Sequence, residues 1–223
     1  MLASLWGASF LFMRIGAPEM GPVGLIAIRT LVAGLFLLPF LFFYNSHRGV
    51  RGHLPAIALV GVIGSAMPFA LIAWATLTVT AGYASILNAT TPMFGALVAW
   101  FWLGDRLAPS GIIGLLIGFA GVFVLVWGRG EMPTPELGMA VAAALTATLL
   151  YAVAATTTKR YLAEVHPLTL ATLSQLFAAT ALLPLALFAV PETMPSPKAW
   201  WSVVLLGIAS TGIAYVIYFK LIS

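Results

Sequence analysis

The chain has no cysteine, only six acidic residues and 7% charged residues in all. Without cysteine it can form neither disulfides nor thiolate metal sites. A soluble domain carries about 25% charged residues. At 7% a water-soluble globule could not cover its own surface, and lipid is the solvent that accepts what remains. None of the six acids lies at the centre of an apolar stretch. Proton coupling through a buried carboxylate therefore has no support in these residues. There is no Walker loop, which argues against an ATP-driven pump on this chain. Ser, His and acidic residues form no catalytic grouping, so no residue receives a catalytic role and an enzyme is not expected. His47 and His53 share a polar loop with Arg48 and Arg51, and His166 stands beside Pro167. Neither arrangement offers the convergent ligands of a metal site, and no cofactor is implied. No basic segment precedes the first apolar stretch, so a cleavable signal peptide is not expected.

What is present is hydrophobic: 62% of residues, with a mean hydropathy of +1.08. About 20 apolar residues cross a bilayer as a helix. Eight stretches qualify as candidates: Met1–Ala17, Val23–Tyr44, Leu54–Val79, Gly82–Leu103, Gly111–Trp127, Leu137–Thr158, Leu168–Val190 and Trp200–Lys220. The first is short for a span. The links between them hold nearly all the charge, together with proline and polar residues. The shortest link is a turn near Thr80-Ala81-Gly82. The apolar runs are continuous rather than alternating, which excludes a β-barrel. The fold class is thus an all-α, polytopic helical bundle in the membrane.

The net charge of +4 is scattered over short loops, and no basic stripe exists to bind nucleic acid. With the start of the chain inside, the inner loops hold Arg48, Arg51, Arg106, Lys159 and Arg160, and Lys220 sits at an inner helix end. The outer side holds Arg129 and Lys198, with Arg14 and Arg29 near that boundary. The bias favours a cytoplasmic N-terminus.

The sequence also repeats itself. A shift of about 145 residues lays helices 1–2 on helices 6–7. Pro22 falls on Pro167, Pro39 on Pro184, Glu19 on Glu164, Arg14 on Lys159, Trp6 on Tyr151 and Arg29 on Ser174. A shift of about 146 lays Gly61 on Gly207, Ser65 on Thr211 and Phe69 on Tyr215. One repeat then holds about five helices, and an odd number makes the two copies cross the membrane in opposite senses. The expected domains are residues 1–128, a first repeat of helices 1–5, and residues 137–223, an incomplete second repeat of helices 6–8. Two further helices are expected beyond Ser223, and the front is expected to be short by roughly a turn or two.

Particular segments carry a resemblance. They are Leu5-Trp6-Gly7-Ala8-Ser9-Phe10, Ile28-Arg29, and the run from Ala81-Gly82-Tyr83-Ala84-Ser85 through Asn88-Ala89-Thr90-Thr91-Pro92 to Gly104-Asp105-Arg106-Leu107. Gly118-Phe119-Ala120-Gly121-Val122 follows. Together with the repeat, they make the chain resemble the EamA-type branch of the drug/metabolite transporter superfamily over essentially its whole length. That family often has Gly-Glu-Arg-Leu where this chain has Gly104-Asp105-Arg106-Leu107. The resemblance implies ten helices in an inverted five-plus-five fold. It implies a secondary transporter of the bacterial cytoplasmic membrane that moves a small metabolite, amino acid or drug-like solute. A lipid-linked sugar flippase of related build is the alternative, and so is a truncated fragment that transports nothing. Whether two copies form a homodimer is left open.

The candidate cavity residues follow from polarity inside apolar stretches. Pro92 blocks the carbonyl four residues earlier, that of Asn88. Freed carbonyls near Asn88, Thr90 and Thr91 could bind solute, or could form a kink satisfied by threonine hydroxyls. Helix 1 offers Trp6, Ser9 and Phe10, and helix 6 offers Thr146 and Tyr151. Helix 3 offers Ser65, Phe69 and Trp74, and helix 8 offers Thr211, Tyr215 and Tyr218. Converging rings and hydroxyls would suit an amphipathic solute. Packing and interfacial anchoring are the plainer reading of the same residues. Arg29, about two turns into helix 2, is a membrane-embedded charge; snorkelling to the boundary is its expected role, and Arg14 is expected to do the same. Gly111, Gly114, Gly118 and Gly121 form a small-residue stripe expected to pack closely on another helix.

Overall fold

The computed structural model describes residues 2–43, 50–127 and 134–217. His47, Arg48, Arg129, Tyr218 and Lys220 lie outside these residues. Eight helical segments follow one another: α1 Leu2–Met20, α2 Pro22–Phe43, α3 Val50–Ala75, α4 Ala81–Leu103, α5 Pro109–Trp127, α6 Pro135–Tyr161, α7 Pro167–Leu187 and α8 Pro197–Ile217. Seven of them, α2 to α8, are long and apolar enough to cross a membrane. The first is not among them, because Arg14 and Glu19 lower its hydropathy. It runs through Pro18 to Met20, three residues past its expected end.

Local chemistry sets the helix starts. The Thr80, Thr134 and Ser196 hydroxyls accept hydrogen bonds from the backbone N–H three residues on, at 3.2 or 3.3 Å. His166 Nδ1 accepts from Leu168 N at 3.2 Å. After Thr134, His166 and Ser196 comes a proline, whose missing N–H is one the first turn could not have used. Gly21 (φ 69°) makes the one-residue link between α1 and α2, a left-handed conformation open to glycine at little cost.

Two helices depart from regular α geometry, α3 and α8. In α3, Val62–Ala66 is a π turn; in α8, Ile208–Ile213 is one. Each follows a glycine, Gly61 or Gly207, pressed against another helix. A Cβ on Gly61 would stand 2.6 Å from the Ser174 carbonyl oxygen on α7. A Cβ on Gly207 would stand 2.7 Å from Val32 Cγ1 and 3.0 Å from the Arg29 carbonyl oxygen on α2. The sequence shift expected above lays Arg29 on Ser174. At the centre α2 packs along α7, with Leu176 filling the space where Gly34 lacks a side chain. Around that seam α3 lies on α6 and α7, and α8 lies on α1 and α2.

The structure corrects three expectations here. The helix holding Asn88 does not merely kink. It breaks at Ala89-Thr90 into Ala81–Asn88 and Thr91–Leu103. Of the glycine stripe on α5, Gly118 alone meets a neighbour among the described residues, Met93 Sδ, which would lie 2.8 Å from its Cβ; Gly111, Gly114 and Gly121 have none within reach there. The reason is that α5 leans on α4 along one line, through Met93 and the Phe94–Phe119 ring pair. Arg14 does not anchor at a boundary: its Nη1 donates to the Thr76 carbonyl and ties α1 to the end of α3.

Gly61→Val should lower the thermal midpoint in detergent, at a cost of about 1–3 kcal/mol, because a backbone carbonyl cannot step aside. Gly7→Ala, with open space around its Cβ, should leave the midpoint unchanged or slightly raised.

Candidate functional site

Between α3, α6 and α7 lies a cavity of about 420 Å³, within the range of small-solute sites. Its mouth is at the α6–α7 link, among Lys159, Ala163 and Val165. Lys159 Nζ pairs there with Asp105 Oδ2 at 3.3 Å, both exposed, so the α4–α5 link shares that face. The walls are apolar, from Val60, Ala154, Ala155 and Leu170. The deep end is polar and aromatic: Ser65, Ser174, Tyr151 and Tyr215.

Two of these groups are held by specific bonds. The π turn of α3 carries Ser65, whose Oγ accepts from Gln175 Nε2 at 2.9 Å. Gln175 is fully buried, and its Oε1 has no partner among the described residues. Tyr151 meets the Phe69 ring edge-on at 6.0 Å.

Behind that ring sits Arg29. Its guanidinium carbon lies 3.8 Å from the Phe69 ring centroid, and its Nε donates to Thr211 Oγ1 at 3.2 Å. Thr211 in turn donates to the Leu206 carbonyl at 2.9 Å, using the geometry of the π turn in α8. Arg29 is only 3% exposed, so it does not snorkel. It projects into the bundle, where α3 and α8 face α2. Among the described residues it pairs with no carboxylate, and Nη1 has no hydrogen-bond partner. An arginine at such depth costs about 3 kcal/mol on insertion scales, which the face of Phe69 and the Thr211 hydroxyl offset only in part.

Of the residues singled out in the sequence, Ser65, Tyr151 and Tyr215 line the cavity. Phe69, Thr211 and Arg29 form the cluster next to it. Ser9 and Phe10 are buried in α1, with Ser9 Oγ donating to the Trp6 carbonyl, while Trp6 itself is largely exposed. Trp74 and Thr146 are exposed. Asn88, Thr91 and Pro92 sit at the break in α4, away from the cavity. The carbonyls freed there are taken by hydroxyls: Thr91 Oγ1 donates to Asn88 O, and Thr90 Oγ1 to Leu87 O, each at 2.7 Å. Those carbonyls are thus occupied without a solute. Asn88 Oδ1 remains buried and without a partner among the described residues. Gln175 escaped the sequence reading. As the chain's one glutamine, set in an apolar stretch, its lone amide was the available signal.

Ser65→Ala would leave the Gln175 amide unpaired in the core. A stability loss of about 1–3 kcal/mol is expected, read as a lower thermal midpoint, and Gln175→Leu in the same chain should recover much of it.

Comparison with known proteins agrees with this architecture. Residues 1–127 and 138–223 match the EamA-like transporter family. A probable terminal-alkyne amino-acid exporter of Streptantibioticus cattleyicolor is 30% identical over 212 residues, covering 95% of this chain and 70% of that protein. The uncharacterized inner membrane transporter YedA of Escherichia coli is 30% identical over 129 residues, covering 54% of this chain and 40% of that protein. One crystal structure superposes with a TM-score of 0.66 at 22% identity, covering 96% of this chain and 76% of that one, a likeness of fold.

Proposed function

The chain belongs to the EamA-like transporter family, and from that premise we propose that it is a secondary transporter moving a small metabolite, amino acid or drug-like solute by alternating access. It is an integral membrane protein and a transporter, not an enzyme. The observation that carries the reading is the cavity, which opens at one face and ends in mid-bundle on Ser65, Tyr151 and Tyr215. Its walls come from both halves of the chain, α3 from the first and α6 and α7 from the second. A solute site between two repeats is what alternating access requires.

Two inverted repeats, with residues 1–128 in the first and residues 137–223 in the second, are the framework of this proposal. The paired π turns support it, as do the paired contacts of Gly61 with Ser174 and of Gly207 with Arg29. The membrane we assign is the bacterial cytoplasmic one, with the N-terminus inside. The cavity mouth then faces the cytoplasm, the side that holds Arg51, Arg106, Lys159 and Arg160. An amino-acid-like solute fits a cavity with apolar walls and a hydroxyl-bearing end, and one relative is named as an amino-acid exporter. A lipid-linked flippase would want its basic group at an open flank, and Arg29 is sealed inside.

The test is uptake over a metabolite panel by the protein reconstituted in liposomes. Ala155→Trp, which fills the cavity, and Tyr215→Ala should each lower flux of any accepted solute by about tenfold or more, while the outward Leu187→Ala leaves it unchanged. Flux indifferent to both cavity variants would remove the assignment.

A further inference from the structure

The open cavity has a counterpart in the other half of the chain, and the counterpart is shut. At the repeat offsets, Ser65, Tyr151 and Tyr215 correspond to Thr211, Trp6 and Phe69, while Ser174 corresponds to Arg29. The walls continue the relation: Gly64 corresponds to Ser210, Ala154 to Ser9 and Ala155 to Phe10. In the structure three of these counterparts, Arg29, Thr211 and Phe69, come together, while Trp6 is exposed. Arg29 bonds Thr211 and lies on Phe69, and Ser9, Phe10, Ser210, Thr211 and Arg29 are all buried. Two polar groups in this closed region have no partner among the described residues, Arg29 Nη1 and Ser210 Oγ. Where the open cavity presents a small serine, its closed counterpart therefore holds an unneutralised guanidinium.

We propose that, when the bundle opens to the opposite face, Arg29 lines the cavity exposed there and binds the carboxylate of the transported solute. This rests on the alternating-access reading above. In an inverted repeat the two facing states exchange the roles of the two halves, so the groups lining one open cavity have counterparts lining the other. Ser174 lines the cavity now, and Arg29 takes its place in the other state. The charge decides the ligand class. A single guanidinium with no acid beside it is neutralised one for one by a monoanion, whereas a phosphate dianion would leave a net charge buried on closure. Nη1 supplies a charge-assisted donor, and the Ser210 hydroxyl can add a neutral one. With the site empty, the Phe69 face covers the cation as a weaker substitute for that anion. Because the charge lies on one side of the cycle only, acids should be preferred at the face opposite the present cavity mouth.

The experiment uses matched pairs differing only in charge: leucine with leucinamide, and 4-methylpentanoate with 4-methylpentanamide, with inorganic phosphate as a separate arm. Binding to the purified chain is read by thermal stabilisation, and uptake is read from each face of oriented proteoliposomes. At least one acid should bind about tenfold more tightly than its amide, with the preference confined to one face. Arg29→Gln should bring acid and amide within about twofold of each other, and Arg29→Lys should keep a reduced preference for the acid. Should Arg29→Gln fail to fold, Arg29→Lys and Thr211→Val, which keep the charge but disturb its placement, must each narrow the acid–amide ratio. The proposal is overturned if no acid outcompetes its amide, if the preference survives in Arg29→Gln, or if phosphate protects where carboxylates do not. Flux of amides or amines with acids inert would overturn this assignment and leave the transporter reading standing. Flux of no solute at all would remove both.

Discussion

Everything in this bundle is arranged around one seam, the close approach of α2 and α7. Lipid gives two apolar helices no hydrophobic reason to associate, so association depends on how closely their backbones can come. Here glycines set the distance. Gly34 admits Leu176, Gly61 lets α3 rest on the Ser174 carbonyl, and Gly207 lets α8 rest beside the Arg29 carbonyl. With α3 held on α7 and α8 on α2, the side chains of both crossing helices are aimed at a common centre. Phe69 and Thr211 close on Arg29 for that reason, and Ser65 and Tyr215 line the cavity.

The two π turns belong to the same constraint. Each follows a glycine jammed against a neighbouring helix, and each carries a hydroxyl that serves the interior: Ser65 takes a bond from Gln175, and Thr211 takes one from Arg29. A π turn leaves one carbonyl looking for a donor five residues on, and Thr211 supplies it to Leu206. Packing, backbone irregularity and interior polarity are therefore one local device, used twice. The copies differ in cargo. One orders a serine and a glutamine beside the cavity, and the other orders a buried arginine.

The charge distribution separates the interior from the rim. A bundle this poor in acids has few ways to neutralise a buried cation, and Arg29 sits against a ring face rather than a carboxylate. The Lys159–Asp105 pair lies exposed at the cavity mouth, where water screens it and little stability depends on it. Interior and rim thus follow different electrostatics, as expected where one is dry and the other wet.

Much of this was legible in the sequence. Hydropathy alone located eight helices to within a few residues, since lipid demands long apolar runs whose backbone is satisfied within the helix. Polar residues inside apolar runs singled out Ser65, Tyr151, Thr211 and Tyr215. The sequence could not say which polar residue faces which neighbour. Asn88 and Thr91 had the composition of a site, yet their carbonyls are closed off by nearby hydroxyls. Arg29, close enough to a helix end to reach the boundary, turns inward instead. That choice depends on rotation about the helix axis and on where α3 and α8 press against α2. Composition and hydropathy determined that this chain is an all-α membrane bundle; only the packed structure decided which polar groups line the cavity and which are buried beside it, because that depends on contacts between residues far apart in the chain.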